Sequence, residues 1–103
     1  MRKCEREMVD AVHNARNWKG KNTQVRVECG TDGTIWRNVY LHGHCIYMRS
    51  SSVESFNLCG WDTPTTRSRL HALGINVSDK RRGPYWNGER IATNRWYTRA
   101  IDF

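Results

Sequence analysis

The sequence predicts an α+β fold: an antiparallel sheet of hairpins, with an N-terminal helix and a second short helix over residues 64–73 packed on it. Three observations predict it. Apolar residues recur with a helical period in two separate stretches, at the start of the chain and after Pro64. Between Asn22 and Cys59 the period is two, the spacing of strands with one buried face. Two pairs ending in glycine, His42-Gly43 and Asn87-Gly88, fall where two-residue hairpin turns belong. The expected order is αββββαβββ, and hairpins of this kind give an antiparallel sheet with helices to one side.

Residues 2–19 read as an amphipathic helix, because Cys4, Met8, Ala11, Val12, Ala15 and Trp18 recur at i, i+3, i+4 and i+7. Glu5, Glu7 and Asp10 lie early, Arg16 and Lys19 late, as the helix dipole favours, and Gly20 stops the run. His13 borders the stripe, a boundary histidine. From Asn22 the pattern changes: Val25, Val27 and Cys29 alternate with Gln24, Arg26 and Glu28, and Gly30-Thr31-Asp32-Gly33 makes a turn. Residues 34–41 and 44–50 form the next two strands, joined at His42-Gly43. A two-residue turn there sets Tyr40 opposite Cys45, Asn38 opposite Tyr47 and Trp36 opposite Arg49. One face then carries Ile35, Val39, Leu41, Ile46 and Met48. The other carries Trp36, Tyr40, Cys45, Tyr47 and Arg49. Residues 53–59 make a fourth strand.

The segment Gly60 to Gly74 contains every local signal of a short helix. Trp61 precedes the capping candidates Asp62, Thr63 and Thr65, and Pro64 suits the first helical turn, where its missing N–H costs nothing. Leu70 and Leu73 give the apolar edge. Gly74 stands where a left-handed residue ends a helix, and Ile75 is placed to close the hydrophobic contact of a Schellman motif. Residues 78–83 read as a polar, basic loop. Tyr85 to Arg90 is a hairpin around Asn87-Gly88, and the alternation in residues 94–103 predicts a last strand.

At 103 residues and 12.1 kDa the chain is expected to form a single domain over 1–103. Apolar residues make up 38% and mean hydropathy is -0.80, so the five tryptophans and four tyrosines must supply much of the core's bulk. No apolar run is long enough for a membrane span, and the Met-Arg-Lys-Cys start lacks the apolar stretch of a signal peptide. A cytoplasmic protein is expected. Net charge is +7, carried by 13 arginines against 4 lysines. Residues 1–62 hold nine basic and seven acidic side chains, residues 63–103 eight and three. A basic second half points to a polyanionic partner or an acidic protein surface, with simple solubility as the plain alternative.

Few residues suggest chemistry. Cys4, Cys29, Cys45 and Cys59 are too far apart for a C-x-x-C pair and read as reduced thiols. His42, His44 and Cys45 are close in sequence, but His44 and Cys45 point to opposite faces of a strand and His42 belongs to the turn, so neither a metal nor a cofactor is expected. Ser50-Ser51-Ser52 lacks a glycine elbow, no glycine-rich phosphate loop precedes a helix, and no enzyme is expected. Arginine interleaved with aromatic rings is the better signal. It combines phosphate neutralisation with base stacking. The candidate nucleic-acid-binding residues are Arg67, Arg69, Lys80, Arg81, Arg82, Trp86, Arg90, Arg95, Trp96 and Arg99. The competing reading makes the rings core. For the start of the second helix, capping by Asp62 or a threonine is favoured over a phosphate held by Thr63, Thr65, Thr66 and Arg67.

Leu41-His42-Gly43, followed by Gly60-Trp61-x-Thr63-x-Thr65-Thr66-x-x-Arg69-Leu70, resembles a pattern in small proteins of bacteriophages and mobile elements. There a hairpin leads into a G-W-x-T-x-T-T-x-x-R-L-N segment. The similarity spans residues 22–74 and departs at His71, where the pattern has asparagine; the basic C-terminal third lies outside it. The resemblance carries no catalytic residues. It implies a virus-encoded accessory protein acting inside a bacterium. Such a protein binds nucleic acid, DNA or RNA, or else docks as a non-enzymatic inhibitor on a host enzyme or defence complex.

Overall fold

Five strands follow one another as an antiparallel meander: β1 (Trp18–Gly20), β2 (Thr23–Cys29), β3 (Ile35–Leu41), β4 (His44–Arg49) and β5 (Val53–Phe56). Helix α1 (Lys3–His13) precedes them and α2 (Pro64–Ala72) follows. The chain then makes a three-stranded sheet from β6 (Ser78–Lys80), β7 (Gly83–Trp86) and β8 (Glu89–Arg90), and β9 (Tyr97–Ala100) returns to pair with β5 as the sixth strand of the main sheet. The structure is a computed structural model describing residues 2–80 and 83–101, the side chains of 79 and 80 excepted. The fold is α+β.

α1 is shorter than its apolar stripe. Asn14 ends it by donating its amide to the Asp10 backbone and side-chain oxygens, both at 2.9 Å, and Ala15 turns left-handed at φ 49°. The spacing of Ala15 and Trp18 imitates a fourth helical turn, yet Trp18 belongs to edge strand β1 and packs against the core from there. Its ring lies over residue 20, where a Cβ would come within 2.5 Å of it, so this position requires glycine. Other boundaries move less. The strand expected over 53–59 ends at Phe56, the last strand covers only 97–100 of the described residues, and Ser78–Lys80 is a strand rather than a loop because it pairs with β7.

The β3–β4 turn is as expected, with His42 and Gly43 both at positive φ and Tyr40 opposite Cys45. One step further a β-bulge shifts the register, so that Val39 faces Tyr47, Asn38 faces Met48 and Arg37 faces Arg49. This corrects the expected faces. The extra residue on β4 moves Tyr47 and Arg49 away from Trp36 and Tyr40 and onto the face of Val39. Trp18, Val25, Val39, Tyr47, Phe56 and Tyr97 then form one row across all six strands. Met8, Ala11 and Val12 of α1, Leu70 of α2, and Leu41, Ile46, Leu58, Ile75 and Ile91 complete the core on that side.

α2 has the ends that its sequence specifies. Thr63 caps it, its hydroxyl accepting the Thr66 N–H at 3.2 Å. At the other end Ile75 N–H reaches the Leu70 carbonyl at 2.9 Å and Gly74 N–H the His71 carbonyl at 3.0 Å, while the fully buried Leu70 and Ile75 side chains make the apolar contact of a Schellman motif.

Candidate functional site

At the end of the sheet where β3 turns into β4, a cavity of about 310 Å³ opens against the start of α2. Its apolar floor is Leu41, Ile46 and Leu58. Its rim carries His42, His44, Cys59 and Trp61, and the hydroxyl side is Thr63, Thr65 and Thr66. Two tight turns shape it. Leu41-His42-Gly43-His44 is one. Leu58-Cys59-Gly60-Trp61 is the other, closed by Trp61 N–H on the Leu58 carbonyl at 2.9 Å, with Cys59 and Gly60 both at positive φ. Trp61 is 58% exposed and leans on His44, ring centres 6.5 Å apart and planes tilted by 37°. Burial pushes the Cys59 thiol up, and the neighbouring Cys45 thiol is pushed up to about 11, so both stay protonated near neutral pH. Cys59 donates to the Cys45 carbonyl at 3.0 Å.

A buried polar chain supports the rim from below. Arg69, 4% exposed, pairs with Glu5 at 2.9 Å, donates to the Thr23 hydroxyl at 3.1 Å and reaches the Asn22 side-chain oxygen at 3.5 Å. Ser68 also donates to Glu5, and the Asn22 amide lies 3.5 Å from His42 Nε2. α1, β2 and α2 are thereby fixed to the first turn. The residues singled out as two separate motifs, Leu41-His42 and Trp61 with Thr63, Thr65 and Thr66, face one another across this cavity. Each half is visible in the sequence; their meeting depends on the path of residues 57–60.

Among the described residues, the candidate binding residues do not form one patch. Arg69 stands in a scaffold position, its guanidinium largely buried and bonded to Glu5, Thr23 and Asn22. Trp86 packs edge-on against Phe56, ring centres 4.9 Å apart, and near Tyr97, so its ring belongs to the core margin. Arg67 pairs with Asp62, and Thr63 caps α2, as the capping alternative expected. Arg99 bonds Glu54 at 2.8 Å and the Gly74 carbonyl at 2.9 Å. Arg90, Arg95 and Trp96 face solvent, Trp96 at 41% exposure, and the two arginines make no ion pair among the described residues. Arg81, Arg82 and the side chain of Lys80 lie outside the described residues. Gly60 N–H bonds the Thr93 carbonyl at 2.6 Å, which brings the turn bearing Trp61 against the loop bearing Arg95 and Trp96.

No group of three or more His, Cys, Asp or Glu converges as metal ligands among the described residues, and none of their helices is long and apolar enough to cross a membrane. The model of the Kyanoviridae Gp96 protein family matches residues 1–101. The chain belongs to this family. It is therefore a bacteriophage protein, of a family found in cyanophages, as the hairpin and the G-W-x-T segment anticipated. No curated protein and no solved structure matches it significantly.

Proposed function

We propose that this Gp96-family protein binds single-stranded nucleic acid inside the infected cell, without catalysing a reaction. The observation that carries the reading is the Gly60–Thr93 hydrogen bond, which joins the exposed Trp61 and its cavity to the loop of Arg95 and Trp96. Aromatic faces take unstacked bases at about 1–3 kcal/mol each, and free arginines beside them neutralise the connecting phosphates. The cavity is at the small end of ligand sites, suited to one planar ring on an apolar floor with hydroxyls at its edge. Arg90 extends the basic surface, and Lys80, Arg81 and Arg82 extend the basic stretch in sequence.

Fluorescence anisotropy with labelled single-stranded DNA and RNA at low salt tests this. Binding should weaken steeply with salt, and replacing Arg90 and Arg95 by glutamine should reduce the slope of log K against log salt by up to about 1.4, two single-strand contacts' worth. Trp61→Ala should cost about 1–3 kcal/mol of binding. If neither polymer binds, the reading fails. The exposed tryptophans would then be anchors for a host protein, the docking alternative.

A further inference from the structure

A second feature lies at the opposite end of the core-side face, away from the Trp61 cavity. The bulge in β4 sets Arg37 directly opposite Arg49, and the same row continues through Glu54 to Arg99. Like charges opposed on neighbouring strands repel, since their Cβ atoms are about 5 Å apart. Natural sheets place opposite charges there. The one carboxylate of the row cannot serve both arginines, because Glu54 is only 7% exposed and already engaged: Tyr47 donates to one oxygen at 2.6 Å and Arg99 to the other at 2.8 Å. Arg49 lies against the Tyr47 hydroxyl. Arg37 has no ion pair among the described residues, and its Nε is buried without a hydrogen-bond partner. A buried, unsatisfied donor on a cation is costly, and a row of three arginines and one glutamate retains two uncompensated positive charges.

We propose that Arg37 and Arg49 form an oxyanion site whose ligand is a phosphate group. A phosphate fits the chemistry: it accepts several hydrogen bonds at once, matches the planar guanidinium fork, and carries the charge that two opposed arginines lack. The Arg37 guanidinium supplies one donor group once its side chain turns outward and releases the buried, partnerless Nε, and Arg49 supplies the second cation. Glu54, held by Tyr47 and Arg99, keeps the row in register and does not touch the ligand. The site is independent of the nucleic-acid reading, since a free phosphate, a nucleotide or a polymer backbone all offer the same group.

The test is thermal unfolding of the full chain with increasing inorganic phosphate at constant ionic strength, for the wild type and for Arg37→Gln. Phosphate stabilises proteins generally by exclusion, so the signal is the difference between the two proteins. The wild type should show an additional, saturable rise in Tm. Arg37→Gln should lose it, with apparent phosphate affinity down by about tenfold or more, the equivalent of one charge-assisted bond. Without phosphate, Arg37→Gln should be as stable as the wild type or more so, because the repulsion is relieved. A variant with an equal phosphate response, or one destabilised in the absence of phosphate, overturns the proposal. A shift of the Arg37 Nε–H resonance on adding phosphate supports it, and no shift counts against it. Repeating the titration with a mononucleotide and with a short single strand identifies the source: a response to phosphate alone assigns a free-anion site, and tighter binding of either of the others assigns that ligand.

Discussion

Two arginine–glutamate pairs close this fold over long sequence distances, in different surroundings. Arg69 meets Glu5 between α2 and α1 with both side chains sealed, 5% and 6% exposed. Arg99 meets Glu54 between β9 and β5 with the arginine 38% exposed. At the first pair Ser68, Thr23 and Asn22 add hydrogen bonds, so that a largely buried network holds the cavity rim. At the second, Tyr47 and the Gly74 carbonyl share the work with solvent. The contrast shows how one residue type acts as an internal fastener at one end of the molecule and as a clasp open to water at the other. A sealed pair gives little net stability over an apolar substitute, but losing one member is severe.

The largest expected effect is therefore at the sealed pair. Arg69→Ala leaves the Glu5 carboxylate buried alone and should cost about 3–5 kcal/mol in urea unfolding, while replacing both partners by apolar residues of similar size should recover much of the loss. A loss below about 1 kcal/mol would make the two closures equivalent and break the comparison. Arg99→Ala should cost less, about 1 kcal/mol, since its partner keeps Tyr47 and the site admits water. A loss as large as that of Arg69→Ala would again break the comparison.

A smaller effect concerns pH. Burial alone would raise the Glu5 carboxyl, but the Ser68 hydroxyl and the Arg69 guanidinium outweigh it and hold it below its ordinary value of 4.5. A carboxyl lowered in the folded state contributes stability that is present above that ordinary value and lost as pH falls through the folded one. The unfolding midpoint should thus drop on acidification below about 4.5, more steeply in the wild type than in Glu5→Gln. Parallel curves would show that Glu5 is not linked to folding.

What could be read from the sequence follows the range of the interactions. α2 was legible to within a residue because its cap, its Pro64, its stripe and Gly74 all act within one short segment. The β3–β4 turn was legible for the same reason. The bulge was not, since Ile46 and Tyr47 are both apolar and either can face the core without disturbing the period of two. Trp18 misled by spacing, as its distance from Ala11 suits a helix while Asn14 and Ala15 end one. Arg67 and Arg69 look alike in sequence. The distant partners of Arg69, with Glu5 64 and Thr23 46 positions away, tell them apart.

The pairing of β9 with β5 has a consequence for how the chain is made. While the nascent chain is still attached to the ribosome, Tyr97–Ala100 is held in the exit tunnel after β5 has emerged, so the outer edge of Val53–Phe56 stands open with its backbone groups unpaired. Phe56 also waits for the rings of Trp86 and Tyr97 that later enclose it. A chain in this interval offers an unpaired strand edge with Phe56 uncovered to its neighbours, the kind of surface on which nascent chains associate. Docking of the last strand is thus the event that closes this edge against other copies of the chain.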